Sequence, residues 1–429
     1  MRILTISRRY PTLRQPAQPP DNQAQIDELA AHHELRLVRP VPTRASLVAL
    51  RAGRARGSET ATSVCPTFPE PSGLWSARHV IAFADSVRSA VAAITRQFEP
   101  EVVLASWTHP DGWTALRIGR ELGVPVVLKT YGPDDSVRVQ DRILARMIDE
   151  LRSVDLVVAA SRAAARAVLE SGVPRRRVHV VPDGTSSPQP PRTQREARRH
   201  LQLPETDRII VCFGEGVSAS NALDLVKACA ILRGQGVVVR CVFVGMGHGT
   251  RPVHRLIRSR GLEDLVSFSP PTQTADKRSE WIAASDLVAY PGYTDQAAPV
   301  LREALASGKP FVATRVGSIP ELAAPGFGRL VLAGAAGEMA NAIRESFEQA
   351  ITERRVQAAR LTIPWTESTV LLAAHLQAVV DRQATLRTQR ARREDAASRT
   401  LQGRDATARR LDTGLDVDKL RKIASRRRS

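Results

Sequence analysis

Cysteine, aromatic residues and long apolar runs are all scarce in this chain of 429 residues. Its 4 cysteines form no CxxC pair and no Cys/His cluster, which excludes a zinc site of ordinary spacing. No apolar stretch reaches the roughly 18 residues that a membrane helix needs. The longest candidate, 370–380, is interrupted by His375 and Gln377. We therefore expect a soluble protein with structural cysteines and no metal site.

The first residues lack the features of a secretory signal. Their apolar run, 3–6, is shorter than the roughly 7–15 residues of a signal peptide, and Arg8 and Arg9 follow it. The interpretation is a cytoplasmic protein.

Positive charge is abundant, with a formal net charge of +18. The segment 381–429 holds 15 Lys/Arg against 7 Asp/Glu and no Phe, Trp or Tyr, which predicts a disordered or loosely helical tail. A solvated arginine-rich tail and peripheral contact with anionic lipids at the inner face of the membrane are both open interpretations. Aromatic–basic interleaving and recognition motifs are missing, so we expect no nucleic-acid partner.

Strand-like and helix-like segments alternate along most of the chain, which predicts an α/β protein with doubly wound parallel sheets. The alternation pauses at 182–192, where Pro, Gly and Ser dominate. We therefore predict two Rossmann-like domains facing a cleft. Their predicted limits are 1–183 and 192–364, followed by a final helix at 365–380 that packs towards the first domain and by the tail 381–429.

Two glycine patterns follow predicted strands of the second domain. Gly214-Glu215-Gly216 has the position of a dinucleotide fingerprint, but no acidic residue follows the next strand, 237–244, to bind a ribose. The second pattern begins at Gly245 and lacks the full spacing, so a tight turn explains it equally well. A nicotinamide cofactor is therefore not expected.

The segment 295–321 carries a stronger pattern. A strand ends at Tyr290, and a helix is predicted to start near Pro299, where a proline costs no hydrogen bond. The N–H groups at such a helix start can bind an anion. Glu303 lies about one turn inside, where its carboxylate can accept ribose hydroxyls or simply be solvated.

This segment resembles the retaining glycosyltransferases of the GT-B fold, glycosyltransferase family 4. The resemblance lies in two acidic residues eight positions apart, Asp295 and Glu303, and in Gly308-Lys-Pro and Gly317-Ser-Ile-Pro-Glu after them. Supporting similarities occur at 107–112, 155–161, 180–184 and 244–247, so the resemblance spans roughly 1–380.

The resemblance implies a role for each matching residue. Glu303 would bind the nucleotide ribose, Asp295 would reach the donor sugar, and His109 would lie over that sugar. Backbone groups would bind the diphosphate, and the implied nucleotide-sugar residues are Gln296, Ala297, Ala298, Pro299, Val300, Gly214 and Gly245. The substrates would be a nucleotide-diphosphate sugar and a glycan or lipid-linked acceptor, with no further cofactor.

Several positions depart from the family pattern. Asp295 is shorter than the usual glutamate, Gln296 replaces a glycine, and the arginine and lysine expected at the diphosphate are Glu215 and Ser220. The loop at 14–20 also lacks the usual glycines. Losing two charge-assisted contacts, each worth about 1.5–3 kcal/mol, would weaken donor binding. The candidates for a substitute cation are Lys129, Lys309 and Arg315.

Three functions remain open from the sequence. The first is a sugar transferase that acts with retention in polysaccharide or cell-envelope glycan synthesis. The second is a catalytically degenerate GT-B protein that serves as a binding or scaffolding partner, which Glu215 and Ser220 favour. The third is another Rossmann-like enzyme, such as an epimerase or a nicotinamide enzyme.

Overall fold

The computed structural model describes twelve stretches of the chain, and the account below concerns these residues. The stretches are 1–8, 21–43, 63–69, 76–106, 108–132, 142–185, 193–214, 217–246, 251–270, 275–323, 327–348 and 362–413. The chain forms two compact units, residues 1–376 and residues 377–429. The first unit contains both predicted domains.

A seven-stranded parallel sheet with the order β4-β2-β1-β6-β7-β8-β9 organises the first domain. The central strands consist mostly of small and branched aliphatic residues and are buried throughout, as expected for a parallel sheet covered on both faces. The strands of this sheet are β1 (Arg2–Ile6), β2 (Glu34–Val38), β4 (Ser63–Val64), β6 (Val102–Ser106), β7 (Val126–Thr130), β8 (Leu156–Ala159) and β9 (Val178–Val180). Two short strands, β3 (Val41–Pro42) and β5 (Thr67–Phe68), pair beside it.

Helices and tight turns cover and connect this sheet. The helices are α1 (Asp21–His32), α2 (Ala77–Ile94), α3 (Trp113–Leu122), α4 (Arg142–Glu150) and α5 (Arg162–Glu170). A π-turn covers Thr108–Gly112, and 3₁₀ turns cover Leu151–Ser153 and Arg175–Arg177. The sequence did not predict β3–β5, because strands of two residues carry too little periodicity, and it did not predict α4.

A six-stranded parallel sheet with the order β12-β11-β10-β13-β14-β15 organises the second domain. Its strands are β10 (Ile209–Phe213), β11 (Arg240–Val244), β12 (Val266–Ser269), β13 (Leu287–Tyr290), β14 (Phe311–Thr314) and β15 (Gly328–Val331). Its helices are α6 (Gln194–His200), α7 (Ala219–Gly234), α8 (Arg251–Ser259), α9 (Ala275–Ala284), α10 (Ala298–Ala306) and α11 (Ala336–Glu348), and a 3₁₀ turn covers Ile319–Glu321. The predicted fold class, two Rossmann-like parallel-sheet domains, is thereby confirmed.

The chain passes between the two domains twice, at residues 182–185 and 363–368. These two crossings are hydrogen-bonded to each other. Thr185 N–H donates to the carbonyl of Ile363 at 2.8 Å, and Thr185 and Pro364 form a β-bridge. Gly184 packs so closely on Trp365 that a Cβ atom there would lie 2.4 Å from the Trp365 Cα. The hydroxyl of Ser368 donates to the carbonyl of Pro182 at 2.6 Å. The two crossings therefore form one packed hinge rather than two loose linkers.

A buried ion pair lies at this hinge. The Lys129 ammonium, at the end of β7, donates to Asp183 Oδ1 at 2.5 Å, and the two side chains are 1% and 2% exposed. Lys129 also donates to the side-chain oxygen of Gln25, and Gln25 Nε2 donates to the Ser368 hydroxyl at 3.1 Å. Arg302 of α10 approaches Asp183 Oδ2 at 3.8 Å. The hinge therefore connects α1, β7, both crossings and α10.

The last helix, α12 (Trp365–Thr413), corrects the prediction for the C-terminal region. The sequence predicted a helix that ends at residue 380 and a disordered or loosely helical tail, yet the helix continues for 33 residues further. The physical reason is the absence of Gly and Pro between 365 and 402, together with strong helix formers and pairs such as Arg390–Glu394 at 3.0 Å. None of the described helices combines the length and apolarity of a membrane span.

Deletion of residues 381–429 is expected to leave the first unit folded. The hinge contacts of α12 described above involve Trp365 and Ser368, and the first unit ends at Leu376. The melting temperature of the truncated protein should stay within a few degrees of the full chain, which calorimetry measures. A fall of about 10 °C or more would contradict this division into units.

Candidate functional site

The candidate site lies at the carboxyl edge of the second sheet, where ligands bind in open α/β domains. Gly214 and Gly245 follow the adjacent strands β10 and β11 and meet there. A Cβ atom on Gly214 would lie 2.8 Å from the Gly245 carbonyl carbon, and Gly245 has φ +90°. Both predicted positions therefore need glycine for the close approach of two strand ends. Glu215 and Gly247 lie outside the described residues.

The loop 291–297, between β13 and α10, is held at several points. Tyr290 Oη donates to the carbonyl of Thr294 at 2.8 Å, and the Thr314 hydroxyl donates to the carbonyl of Gly292. Burial raises the pKa of Tyr290 to about 12. Tyr293 Oη lies 3.3 Å from Asp224 Oδ2. This loop is therefore a fixed platform in front of α10.

The start of α10 has no side-chain cap. Its N-cap residue is Ala297, which carries no acceptor, whereas most helices place Ser, Thr, Asp or Asn there. Ala298 N–H donates to the carbonyl of Asp295 at 2.9 Å, and Pro299 has no N–H. The Ala297 amide donates to the Tyr290 hydroxyl. Among the predicted positions, the amides of Gln296 and Val300 remain as candidate donors to an anion.

Asp295 is bound by the protein itself. Its Oδ2 accepts hydrogen bonds from Ser318 N at 2.9 Å and from the Ser318 hydroxyl at 2.8 Å. Gly317, at φ +51°, is packed on the same carboxylate, and a Cβ atom there would lie 2.4 Å from Oδ2. Among the described residues, no donor reaches Oδ1. Asp295 thus ties the loop 291–297 to the segment after β14 and keeps one oxygen for another partner.

Glu303 is also bound by the protein, through a residue that the sequence analysis missed. Arg278 of α9 donates from Nε to Glu303 Oε2 at 2.7 Å and from Nη2 to Oε1 at 2.5 Å. The side chains of Arg278 and Glu303 are 8% and 15% exposed. Such a two-bond fork is the strongest arrangement of an arginine–carboxylate pair.

A sequence signal for Arg278 does exist. Arg278 precedes Trp281 and Ile282 by three and four positions, so it lies on the apolar face of α9, where both residues are buried. A cation on such a face needs a carboxylate partner, because an unpaired buried charge is very costly. The identity of that carboxylate, 25 positions away, does not follow from the pattern.

The three candidate cations differ in their positions. Lys129 is locked in the hinge with Asp183, and Lys309 donates to the carbonyls of Ala283 and Ser285 at 2.8 and 2.6 Å. Both are therefore wrong as candidates for neutralising a diphosphate. Arg315 is exposed at the carboxyl end of β14, and its guanidinium has no hydrogen-bond partner among the described residues. Ser220 is exposed, with its hydroxyl 2.7 Å from that of Ser218.

His109 lies in the first domain, in the π-turn that follows β6. Its side chain is buried, at 3% exposure. The turn is fastened by the carboxylate of Asp111, which accepts from Arg8 N at 2.9 Å, and by the Thr114 hydroxyl, which donates to the carbonyl of Pro110 at 3.0 Å. The turn therefore sits at the carboxyl end of the first sheet, beside the end of β1.

The two domains also touch near the site. The carboxylate of Glu321, in the 3₁₀ turn after β14, accepts from Arg162 N at 2.9 Å and from Ala163 N at 2.7 Å. These are the first amides of α5, so a side chain of the second domain caps a helix of the first. Ser318 and Glu321 are three residues apart, which places this contact next to Asp295.

Family models match both halves of the chain. Residues 24–187 match the model described as Glycosyltransferase Family 4, and residues 193–360 match the model described as Glycosyl transferases group 1. Together the two matches include every element from β2 to α11 and all the site residues above.

Similar proteins agree with these matches. A D-inositol 3-phosphate glycosyltransferase of Mycobacterium bovis is 31% identical over 263 residues, which are 59% of this chain and 52% of that protein. One from Streptomyces griseus is 29% identical over 219 residues, which are 48% of this chain and 46% of that protein. The matched part therefore spans about half the length of these curated relatives.

Solved structures with the same fold include one protein from Anabaena and one from Thermosynechococcus elongatus. HepE of Anabaena in complex with UDP has a TM-score of 0.67 at 19% identity and covers 88% of this chain and 100% of its own. Sucrose-phosphate synthase of Thermosynechococcus elongatus has a TM-score of 0.68 at 16% identity, with 89% and 100% covered.

Proposed function

This chain belongs to the GT-B glycosyltransferases of the family 4 type, and from this premise we propose that it transfers a sugar from a nucleotide-diphosphate donor to an acceptor hydroxyl. The proposal includes retention of the anomeric configuration and a glycan or lipid-linked acceptor in polysaccharide or cell-envelope synthesis. The named similarities support the donor class, because HepE was solved with UDP and with UDP-glucose.

The uncapped start of α10 carries this proposal. The loop 291–297 places the N-terminus of α10, with candidate N–H donors at Gln296 and Val300, at the ligand-binding edge of the sheet. The positive end of the helix dipole favours an anion there. Glu303 lies further along the same helix, and a ribose attached to the diphosphate can reach it. The helix α10 thus offers N–H donors to the diphosphate and a carboxylate acceptor to the ribose hydroxyls.

In this proposal, the chemistry depends on positioning and electrostatics. Developing negative charge on the leaving diphosphate is stabilised by the helix start and by Arg315, the exposed cation at the end of the neighbouring strand β14. The free Oδ1 of Asp295 faces the donor-sugar hydroxyls. His109 approaches the sugar from the first domain, and closure of the domains through Glu321 and α5 excludes water.

Localisation at the inner face of the membrane extends the same proposal. The formal net charge of +18 gives the protein an attraction to anionic headgroups, and a lipid-linked acceptor would be presented there. Sedimentation with vesicles of phosphatidylglycerol against vesicles of phosphatidylcholine tests this. Binding to both or to neither would contradict it.

Calorimetric titration tests the proposed donor site. The purified protein is titrated with UDP, GDP, ADP and dTDP and with their common sugar conjugates. Saturable binding of one nucleotide would identify the base and justify a search for the acceptor. A cooperative melt with no binding across the series would contradict the proposal.

A second candidate function, a catalytically degenerate GT-B protein, has its own observation. Both acidic residues of the family pattern are bound by protein groups, Asp295 by Ser318 and Glu303 by Arg278. The sequence also has Glu215 and Ser220 where the family has cations. The titration above separates the two functions, because the degenerate protein would remain folded and bind no nucleotide.

Substitution of Glu215 by Arg is expected to raise nucleotide affinity about 10- to 100-fold. The change removes a carboxylate and restores a cation at the family position, and one charge-assisted contact is worth about 1.5–3 kcal/mol. The gain should shrink at high salt, because exposed charges are screened. Glu263→Arg, an equal charge reversal at an exposed position after α8, serves as the control. An equal gain in both variants would show only a general effect of net charge.

A further inference from the structure

Arg278 is a cation on the buried face of α9. It contacts the carboxylate of Glu303, which binds the ribose in the proposed function. We propose that Arg278 is a positioning residue for the donor, which orients Glu303 so that the site selects ribonucleoside diphosphates over their deoxy analogues. This inference rests on the proposed function. It adds a role for Arg278, which sets the selectivity of the site, and it names ribonucleoside diphosphates as the favoured ligands.

The fork leaves Glu303 able to accept further hydrogen bonds. A carboxylate has about four acceptor positions on its two oxygens, and the two bonds from Arg278 use one on each. One position per oxygen therefore remains for a hydroxyl of the ligand. Because both oxygens are held, the plane of the carboxylate is fixed by the plane of the guanidinium.

The elements that carry the pair are themselves fastened. At the end of α9, the Lys309 ammonium donates to the carbonyls of Ala283 and Ser285, and Arg198 Nε donates to the carbonyl of Ala284 at 2.9 Å. At α10, the first helical amide is bound by the carbonyl of Asp295, and Arg302 faces the buried Asp183. A site on rigid elements holds its ligand groups in one geometry.

Selectivity for ribose follows from this geometry. An oriented acceptor gains a full hydrogen bond from a ribose hydroxyl and gains nothing from a deoxy analogue. Without Arg278, the Glu303 side chain becomes free to rotate towards water, and the same hydroxyl must then order it at an entropic cost. Loss of Arg278 should therefore weaken ribonucleotide binding and leave dideoxy binding almost unchanged.

The test compares nucleotide pairs in matched variants. UDP, GDP and ADP are each titrated against their 2′,3′-dideoxy analogues in the wild type, Arg278→Met, Arg278→Lys, Glu303→Ala and the double variant Arg278→Met/Glu303→Ala. Arg329→Met is the control, because Arg329 also pairs with a glutamate of the second domain, Glu345, through a single contact at 2.7 Å between β15 and α11. Thermal melts accompany every titration and confirm that the variants are folded.

We expect the wild type to prefer one ribonucleotide by about 100-fold or more, the value of two hydrogen bonds to a charged acceptor. Arg278→Met should reduce this preference to about 1, Arg278→Lys should keep part of it, and Arg329→Met should keep all of it. In the Glu303→Ala background, Arg278→Met should have no further effect, because Arg278 acts through Glu303.

Three results would overturn the inference. A folded Arg278→Met that keeps the ribose preference would show that Glu303 needs no positioning, and a gain in affinity would show that Arg278 competes with the ligand. A wild type that binds nucleotides without preferring ribose would show that Glu303 does not bind the ribose. A wild type that binds no nucleotide would instead overturn the proposed function, and this inference with it.

Discussion

Substitution of Glu303 by Ala is expected to lower nucleotide affinity by about 100-fold or more. Two hydrogen bonds from ribose hydroxyls to a charged acceptor are lost, and each is worth about 1.5–3 kcal/mol. A factor of ten in affinity corresponds to about 1.4 kcal/mol, so losing even one full bond is measurable. Calorimetric titration with the nucleotide that the wild type binds measures the effect.

The matched control for this prediction is Glu345→Ala. Glu345, on α11, forms a single and more exposed ion pair with Arg329, on β15, where no ligand is proposed. Its removal should change nucleotide affinity less than about 2-fold, because an exposed ion pair contributes about 0–1 kcal/mol and touches no ligand. Unchanged nucleotide affinity in a folded Glu303→Ala variant would show that Glu303 does not bind the ribose.

Substitution of Lys129 by Met is expected to destabilise the protein by about 3–5 kcal/mol. The change leaves Asp183 buried, at 2% exposure, and among the described residues only the more distant Arg302, at 3.8 Å, then faces its carboxylate. Removing one partner of a buried pair is costly because the remaining charge stays desolvated. In domains of this size, the corresponding fall in melting temperature is about 10 °C.

The double variant Lys129→Met/Asp183→Asn separates the causes. It removes both charges, so it should recover part of the stability that Lys129→Met loses, because a neutral pair needs no desolvation of an ion. Arg329→Met, which breaks an exposed pair, should cost less than about 1 kcal/mol. A loss below about 1 kcal/mol in Lys129→Met would show that the hinge does not depend on this ion pair.

The fold and much of the candidate site were predictable from the sequence because both have local patterns. Alternating strands and helices predicted both sheets, and the aliphatic run 209–213 and the helix start near Pro299 fell where the structure has β10 and α10. The spacing of Asp295 and Glu303 was also visible. These signals are local, because they depend on periodicity and on residues a few positions apart.

The remaining features depend on contacts between distant parts of the chain. Lys129 was a candidate phosphate cation, but its partner Asp183 is 54 positions away and turns it into a hinge residue. Glu321 caps a helix that begins 159 positions earlier. For the tail after residue 380 the sequence left a disordered and a loosely helical form open, because high charge and few aromatics favour disorder while helix propensity is strong; the structure has α12 continue to Thr413.

Hydrogen exchange with and without the bound nucleotide diphosphate tests the central claim most directly, because it locates the ligand on the chain. We expect protection of the amides at 296–303, where the loop meets α10, while peptides from α11 keep their exchange rates. Protection confined to the first domain, or binding with no change at 296–303, would contradict a donor site at the start of α10.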